Sequence, residues 1–315
     1  MTEWHWYRAH GLTVRSEIEL PELMSGSPGP ADLSIRLDPL PAQTFDGLDR
    51  STPRIGGFRP TDAGYFVRFS MIAHFLVVDR NTVLVTTIDG HDPGILRLVI
   101  CGTIMGLILK MHGRLPMHAA AVVTPTGVAL FVGDSGAGKS TLTAHLAASG
   151  FQVLSDDVTA LANAPGRGMV AWPGTGVLKV KRDALLKLGT QPDTLPPVAL
   201  RDDKHFLVND TDPADRPFPI SEVFQLAEGD GSPQIARLDP RSAIEALAGN
   251  TYRQVQTVLL GDQVAQFEKL GRLCQTADIY RLQRPWDATR VGETAAFLAD
   301  HWRSMMATGR DSASG

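Results

Sequence analysis

The stretch VALFVGDSGAGKSTLTAHLAASGFQVLSDD, residues 128–157, decides how the chain is read. An apolar run ends at Val132, the glycine-rich turn Gly133-Asp134-Ser135-Gly136-Ala137-Gly138-Lys139-Ser140 follows, and Leu142, Leu146 and Ala147 then recur at helical spacing. Strand, loop and helix are expected in that order. The turn fits G-x-x-x-x-G-K-[ST]. In such a loop, glycines let backbone N–H groups approach phosphates, the lysine reaches the β- and γ-phosphates, and the hydroxyl meets Mg²⁺. The expected ligand is a nucleoside triphosphate, ATP with Mg²⁺, held by Gly133, Asp134, Ser135, Gly136, Ala137, Gly138, Lys139, Ser140 and Thr141.

Working outward, Gly150 stops the loop helix, and residues 151–154 read as a strand ending at Ser155-Asp156-Asp157. Ligands in α/β nucleotide sites lie at the carboxyl ends of strands, so these acids fall beside the phosphates. One can hold Mg²⁺ and the other accept a proton from an attacking hydroxyl. Adjacent side chains leave a strand on opposite faces, so both face the nucleotide only if the strand has already ended in a turn. Upstream, Met117 to Val123 reads as a strand and Thr124 to Gly127 as a turn, which sets His118 at the mouth of a hairpin whose second strand delivers the loop.

The 315 residues allow one large or two modest domains. Three regions are expected: a β-rich layer over 1–90, a P-loop domain over 91–307, and a disordered polar tail over 308–315. The segment 38–64, rich in Pro, Gly, Asp and Thr, reads as a surface excursion, followed by strands at 65–69, 75–78 and 82–88. His5, His10, Trp4 and Trp6 have no neighbours that complete a metal set and read as packed or surface residues. A helix is expected over 93–112, and its most apolar run, about twelve residues, falls short of the roughly twenty that span a bilayer. Beyond 158 the strands expected are 158–162, 169–172, 177–180, a pair at 223–227 and 234–238, and 279–282; the final helix is 293–306. Arg201 to Phe206 reads as a solvated charged loop.

With 43% hydrophobic and 20% charged residues, the composition is that of a globular protein. A net charge of -4 and a pI near 6.1 provide no basic field for nucleic acid, and no membrane partner is expected. Cys101 and Cys274 lack metal-type spacing and read as small hydrophobes of a reducing, cytoplasmic compartment.

His118, the loop GDSGAGKS and the closing LSDD together resemble the catalytic domain of HPr kinase/phosphorylase, over residues 117–158. The opening Tyr7 to Pro21 and the stretch Thr251-Tyr252-Arg253 look like the divergent HPr-kinase-like proteins that act as serine kinases on precursors of ribosomally made peptides, lasso peptides among them. The resemblance implies a mixed α/β sheet around the P-loop, related to phosphoenolpyruvate carboxykinase, with a β-rich N-terminal layer. It implies Asp156 as the base for a substrate serine, Asp157 as a metal or lysine partner, and His118 beside the transferred phosphate, with Lys139 and Ser140 in the roles already derived. Catalytic residues would be Asp156, Asp157, His118 and Lys139, and metal ligands Ser140 and Asp157. The partner would be a serine-containing peptide or small protein, and a homo-oligomer is in keeping with the family. Two features depart from it. Ala171 stands where a metal-binding Glu would align, and the basic signature tied to HPr recognition is missing, which argues against HPr as substrate. The alternatives are a catalytically reduced nucleotide sensor or scaffold, and a small-molecule kinase or nucleotidyl transferase.

Overall fold

The computed structural model describes residues 3–45, 55–200, 202–208, 215–287 and 289–311. Among them, β1 (His5–Ala9), β2 (Leu12–Ser16), β3 (Met24–Ser25), β4 (Leu33–Leu37), β5 (Ile55–Thr61), β6 (Gly64–Phe69), β7 (Ala73–Asp79) and β8 (Thr82–Thr87) form one mixed sheet. Its order is β3-β1-β2-β4-β8-β7-β6-β5. Alternating burial in β2 and β8 turns Leu12, Val14, Val83 and Val85 to one face, as the period of two dictates. That face packs against the helix Pro93–Met111, whose N-cap Asp92 accepts from the N–H groups of Gly94 and Ile95.

This helix matches the expected span of 93–112, although it is longer than the twelve-residue apolar run within it. Its 19 residues and mean hydropathy of 1.9 would by length and composition allow it to cross a membrane. In this fold 78% of it is buried. Leu107, Ile108 and Leu109 lie in a core that joins the first sheet to Ala160 of the second and to Val158 just before it.

The second sheet contains β9 (Leu115–Met117), β10 (Ala119–Thr124), β11 (Gly127–Val132), β12 (Val153–Ser155), β13 (Thr159–Ala164), β14 (Gly168–Trp172), β17 (Phe218–Glu228), β18 (Gln234–Arg237) and β19 (Asp278–Arg284). Between β14 and β17, β15 (Val177–Lys181) and β16 (Lys204–Val208) make a separate antiparallel ribbon. The main path runs β12-β10-β11-β17-β14-β13-β9, and it forks at β17, whose first residues pair with β14 and whose later ones pair with β19. The helices Lys139–Ala148 and Val291–Asp311 pack on each other, with Leu142, Leu146, Leu298 and Trp302 in one core with Phe131 and Phe224.

Strand direction fixes where chemistry can sit. β11, β17 and β19 are mutually parallel, and β12 is antiparallel to β10, which is antiparallel to β11. Val132, Ser155 and Arg284 therefore end their strands at the same sheet edge, where β10 begins. Residues Gly133, Asp156, Trp286 and His118 are delivered there from four separate parts of the chain.

Several expectations need correction. The strands around 223–227 and 234–238 do not pair with each other: β19 inserts between them, parallel to β17 and antiparallel to β18. The charged stretch after Asp202 becomes β16, with His205 and Phe206 buried; Arg201 lies outside the described residues. The excursion expected over 38–64 contains β5 and a short 3-10 turn at Ala42–Phe45, while 46–54 lie outside the described residues. The last helix continues to Asp311, into the stretch expected as tail, and residues 312–315 lie outside the described ones.

Candidate phosphoryl-transfer site

The phosphate loop joins β11 to the helix Lys139–Ala148. Gly138 has φ 81°, a backbone conformation that favours glycine, and a Cβ there would displace Nη2 of Arg284. The ends of the loop are tied from within and from outside. Lys139 Nζ donates to the carbonyls of Gly133 at 2.6 Å and Asp134 at 3.1 Å, and burial holds its pKa below the ordinary lysine value. The Gly133 N–H donates to Asn250 Oδ1 at 2.8 Å, and Arg284 Nη2 donates to the Ala137 carbonyl at 2.5 Å.

The two acids stand at the end of β12, and the chain turns between them. Asp157 has φ 70°, a left-handed conformation that Asp adopts more readily than most residues, and it removes the strand alternation that would separate the pair. Both carboxylates consequently line the same cleft. Asp156 is 2% exposed; Ser140 Oγ donates to its Oδ1 at 2.9 Å and the Lys179 N–H to its Oδ2 at 3.0 Å. Burial pushes the Asp156 carboxyl above its usual value, and the neighbouring Asp157 adds to that.

Asp157 has different partners. Lys179 Nζ lies 2.7 Å from its Oδ2, and His118 Nδ1 lies 3.2 Å from Oδ1 and 3.1 Å from the Asp157 carbonyl. Burial works to raise this carboxyl, but the Lys179 charge and the bonds from His118 and Lys179 outweigh it and hold it well below the carboxylate range. The same pairing holds Lys179 charged, above its ordinary value, against its own burial.

The cleft has a volume of about 840 Å³. Its cationic groups, Lys139, Lys179, Lys181, Lys204, Arg253 and Arg284, outnumber its acids, Asp156, Asp157, Asp183 and Asp202, although the whole chain carries a net charge of -4. A polyanion is the ligand that such an excess suits. The lining also includes apolar side chains, among them Phe69 from the first sheet, Leu98 and Val99 from the long helix, Val198, and the ring of Tyr252. The first sheet thus contributes to the cleft, which nothing in its sequence suggested.

Every residue singled out in the sequence for catalysis or phosphate binding is at this one edge. His118, Ser135 to Thr141, Asp156 and Asp157 line the cleft, and Gly133 and Asp134 bond to Lys139. Ala171 is different. It pairs with Leu161 and Phe218 inside an apolar core and takes no part in the cleft. Among the described residues, no group of three or more His, Cys, Asp or Glu side chains is placed to hold a metal.

Sequence reasoning missed Lys179, Asn250, Arg284 and Trp286. Asn250 caps the C-terminus of the helix Pro240–Gly249; its carbonyl accepts from the His118 N–H at 2.8 Å while its side chain holds the loop. Tyr252 donates its N–H to the Pro116 carbonyl, and its ring centroid lies 6.2 Å from that of His118.

No family model matches the chain, and no curated protein matches it. Among solved structures, the chain is similar to the HPr(Ser) kinase/phosphatase from Coxiella burnetii, with 13% identity over 61% of this chain and 98% of that one. The TM-score is 0.29, a level at which the likeness carries no argument about the site.

Proposed function

We propose that this chain is an ATP-dependent, Mg²⁺-requiring kinase that phosphorylates a hydroxyl, a serine on a peptide or small protein, with an HPr-kinase-like arrangement of its core. A single observation supports this most: a phosphate loop and two acids with separate partner sets face one cleft. The precursor of a ribosomally made peptide is the substrate suggested by the resemblance in sequence, and the apolar lining residues Phe69, Leu98, Val99 and Tyr252 suit a peptide side chain.

The residues present fit Mg²⁺. This ion is held by one or two carboxylates together with substrate phosphates, and Ser140 Oγ and Asp156 Oδ1 offer two hard oxygens 2.9 Å apart beside the loop. Ser140 and Asp156 would hold it, and it supplies charge neutralisation on the phosphate oxygens when bound.

Asp157 stands on the acceptor side, with 31% of its side chain exposed. In the proposed step the serine oxygen bonds to the γ-phosphorus, the bond from that phosphorus to the β–γ bridging oxygen breaks, and the hydroxyl proton passes to Asp157. A carboxylate of low proton affinity suffices, because phosphoryl transfer through a loose transition state asks mainly for orientation of the hydroxyl. Lys179 and His118 fix that orientation. This exchanges the roles of the two acids relative to the resemblance, which would make Asp156 the base. Lys139 and the loop amides carry the charge of the transferring group.

The test is incubation of the protein with Mg²⁺, γ-labelled ATP and serine peptides bearing apolar neighbours, read by mass spectrometry. A gain of one phosphoryl group on serine, absent with Lys139→Ala, is expected. A nucleotidyl mass gain, or saturable ATP binding with every acceptor unchanged, contradicts the proposal.

A further inference from the structure

β19 ends at Arg284 and the chain continues through Pro285 to Trp286, which lines the cleft. β19 is parallel to β17 and through it to β11, so Trp286 emerges from the same sheet edge as the phosphate loop. Large aromatic side chains in this protein are generally covered, as Trp302 is at 1% exposure. Trp286 is 42% exposed and lines the cleft together with Gly138 to Thr141. An indole left open beside a phosphate-binding loop calls for a partner with a flat face.

The ring is held from behind. Arg284 is buried at 3% exposure and its guanidinium lies 4.8 Å from the Trp286 ring centroid. The same guanidinium donates from Nη2 to the Ala137 carbonyl and from Nη1, at 3.1 Å, to the Pro285 carbonyl. One buried cation therefore contacts both the phosphate loop and one face of an indole that lines the cleft and is still 42% exposed. We infer that Trp286 is the platform on which the base of the bound nucleotide stacks, with Arg284 setting its distance from the phosphates. This inference rests on the nucleotide reading above. Stacking on an indole face is tolerant of base identity, so ATP and GTP are bound with similar affinity.

Calorimetric titration of the full chain with ATP, GTP and inorganic tripolyphosphate, for wild type, Trp286→Ala and Trp286→Phe, tests it. Tripolyphosphate probes the loop without a base. The expected result is a loss of about tenfold or more in ATP and GTP affinity for Trp286→Ala, in the range that base–aromatic stacking gives. Trp286→Phe keeps most of the affinity, and tripolyphosphate binds all three proteins equally. Undiminished ATP binding by Trp286→Ala overturns the inference, and so does an equal loss of ATP and tripolyphosphate, which would place the residue's effect in the loop. If wild type binds neither ATP nor tripolyphosphate, the nucleotide reading fails, and this inference with it.

Discussion

The hydroxyl of Ser140 donates to Oδ1 of Asp156 across 2.9 Å, joining the first turn of the phosphate-loop helix to the end of β12. The neighbouring Asp157, turned by its left-handed backbone, pairs instead with Lys179 and His118. One acid thus belongs to the loop and the other to the open cleft.

Substitution should separate the two. Asp156→Asn raises the Mg²⁺ concentration for half-maximal activity by at least about tenfold. Asp157→Asn leaves that requirement unchanged and lowers kcat by about a hundredfold or more, as loss of a positioned proton acceptor does. Initial rates across a Mg²⁺ titration check both, and identical Mg²⁺ dependence in the two variants would show that the roles are not divided this way.

Lys179 is the cation that lets two adjacent carboxylates stand in a largely buried site. Lys179→Met should destabilise the fold by about 2–3 kcal/mol at pH 7, less than a fully buried pair because Asp157 is partly exposed. The Asp157 carboxyl is depressed in the fold, so its contribution is complete above the unfolded value of about 3.9 and is lost as pH falls below it. The stability gap between wild type and variant should therefore narrow on acidification from about pH 5 to pH 3. Thermal denaturation at a series of pH values measures it, and a constant gap would separate Lys179 from the carboxylates.

His10 is wholly buried at the turn between β1 and β2, where neither ring nitrogen has a hydrogen-bond partner among the described residues, and burial lowers its pKa to about 3. A histidine neutral in the fold but protonated when unfolded contributes stability that is present above about 6.5 and declines below it, by about 1.4 kcal/mol per pH unit. His10→Asn, chosen because His10 has φ 56° and Asn tolerates that conformation, should flatten the pH dependence between 6.5 and 5 whatever its effect at neutral pH. Denaturant titrations at the two pH values are the check; an unchanged slope would mean that this histidine does not couple folding to protons.

Asn250 supplies the acceptor for the buried N–H of Gly133. Asn250→Ala leaves that donor without a partner and should cost about 1–3 kcal/mol of stability together with part of the nucleotide affinity. Asn250→Asp retains an acceptor oxygen and should lose less of both. Urea unfolding and ATP titration compare them; equal losses in the two variants would point to helix capping in place of loop support.

How much of this was legible beforehand depended on how far apart the partners lie in the chain. Strand, loop, helix and paired acids occupy thirty consecutive residues, and His118 precedes them by a single hairpin, so local pattern and spacing were enough to bring them together. Asn250 bonds to Gly133 across 117 positions, brought there by the bridge between Thr251 and Met117, and Arg284 bonds to Ala137 across 147, brought there by the parallel pairing of β11, β17 and β19. That pairing was itself misread, because two consecutive strand-like runs at 223–227 and 234–238 look like a hairpin while β19, the true neighbour, arrives three helices later. Lys179 sits in the β15 segment VLKVK, whose alternation announces a strand and says nothing about a cleft. That the strand should end in a turn was a condition the two acids needed, and only the backbone, with its left-handed Asp157, shows how it is met.

The central claim is that a terminal phosphoryl group moves from ATP to a serine hydroxyl in this cleft. Mass spectrometry of a serine-peptide library incubated with the protein, ATP and Mg²⁺ tests it most directly. Phosphoserine should form with the wild-type protein and fall to background with Lys139→Ala and Asp157→Asn. An unmodified library in the presence of demonstrably bound ATP, or equal labelling by Asp157→Asn and wild type, would contradict it.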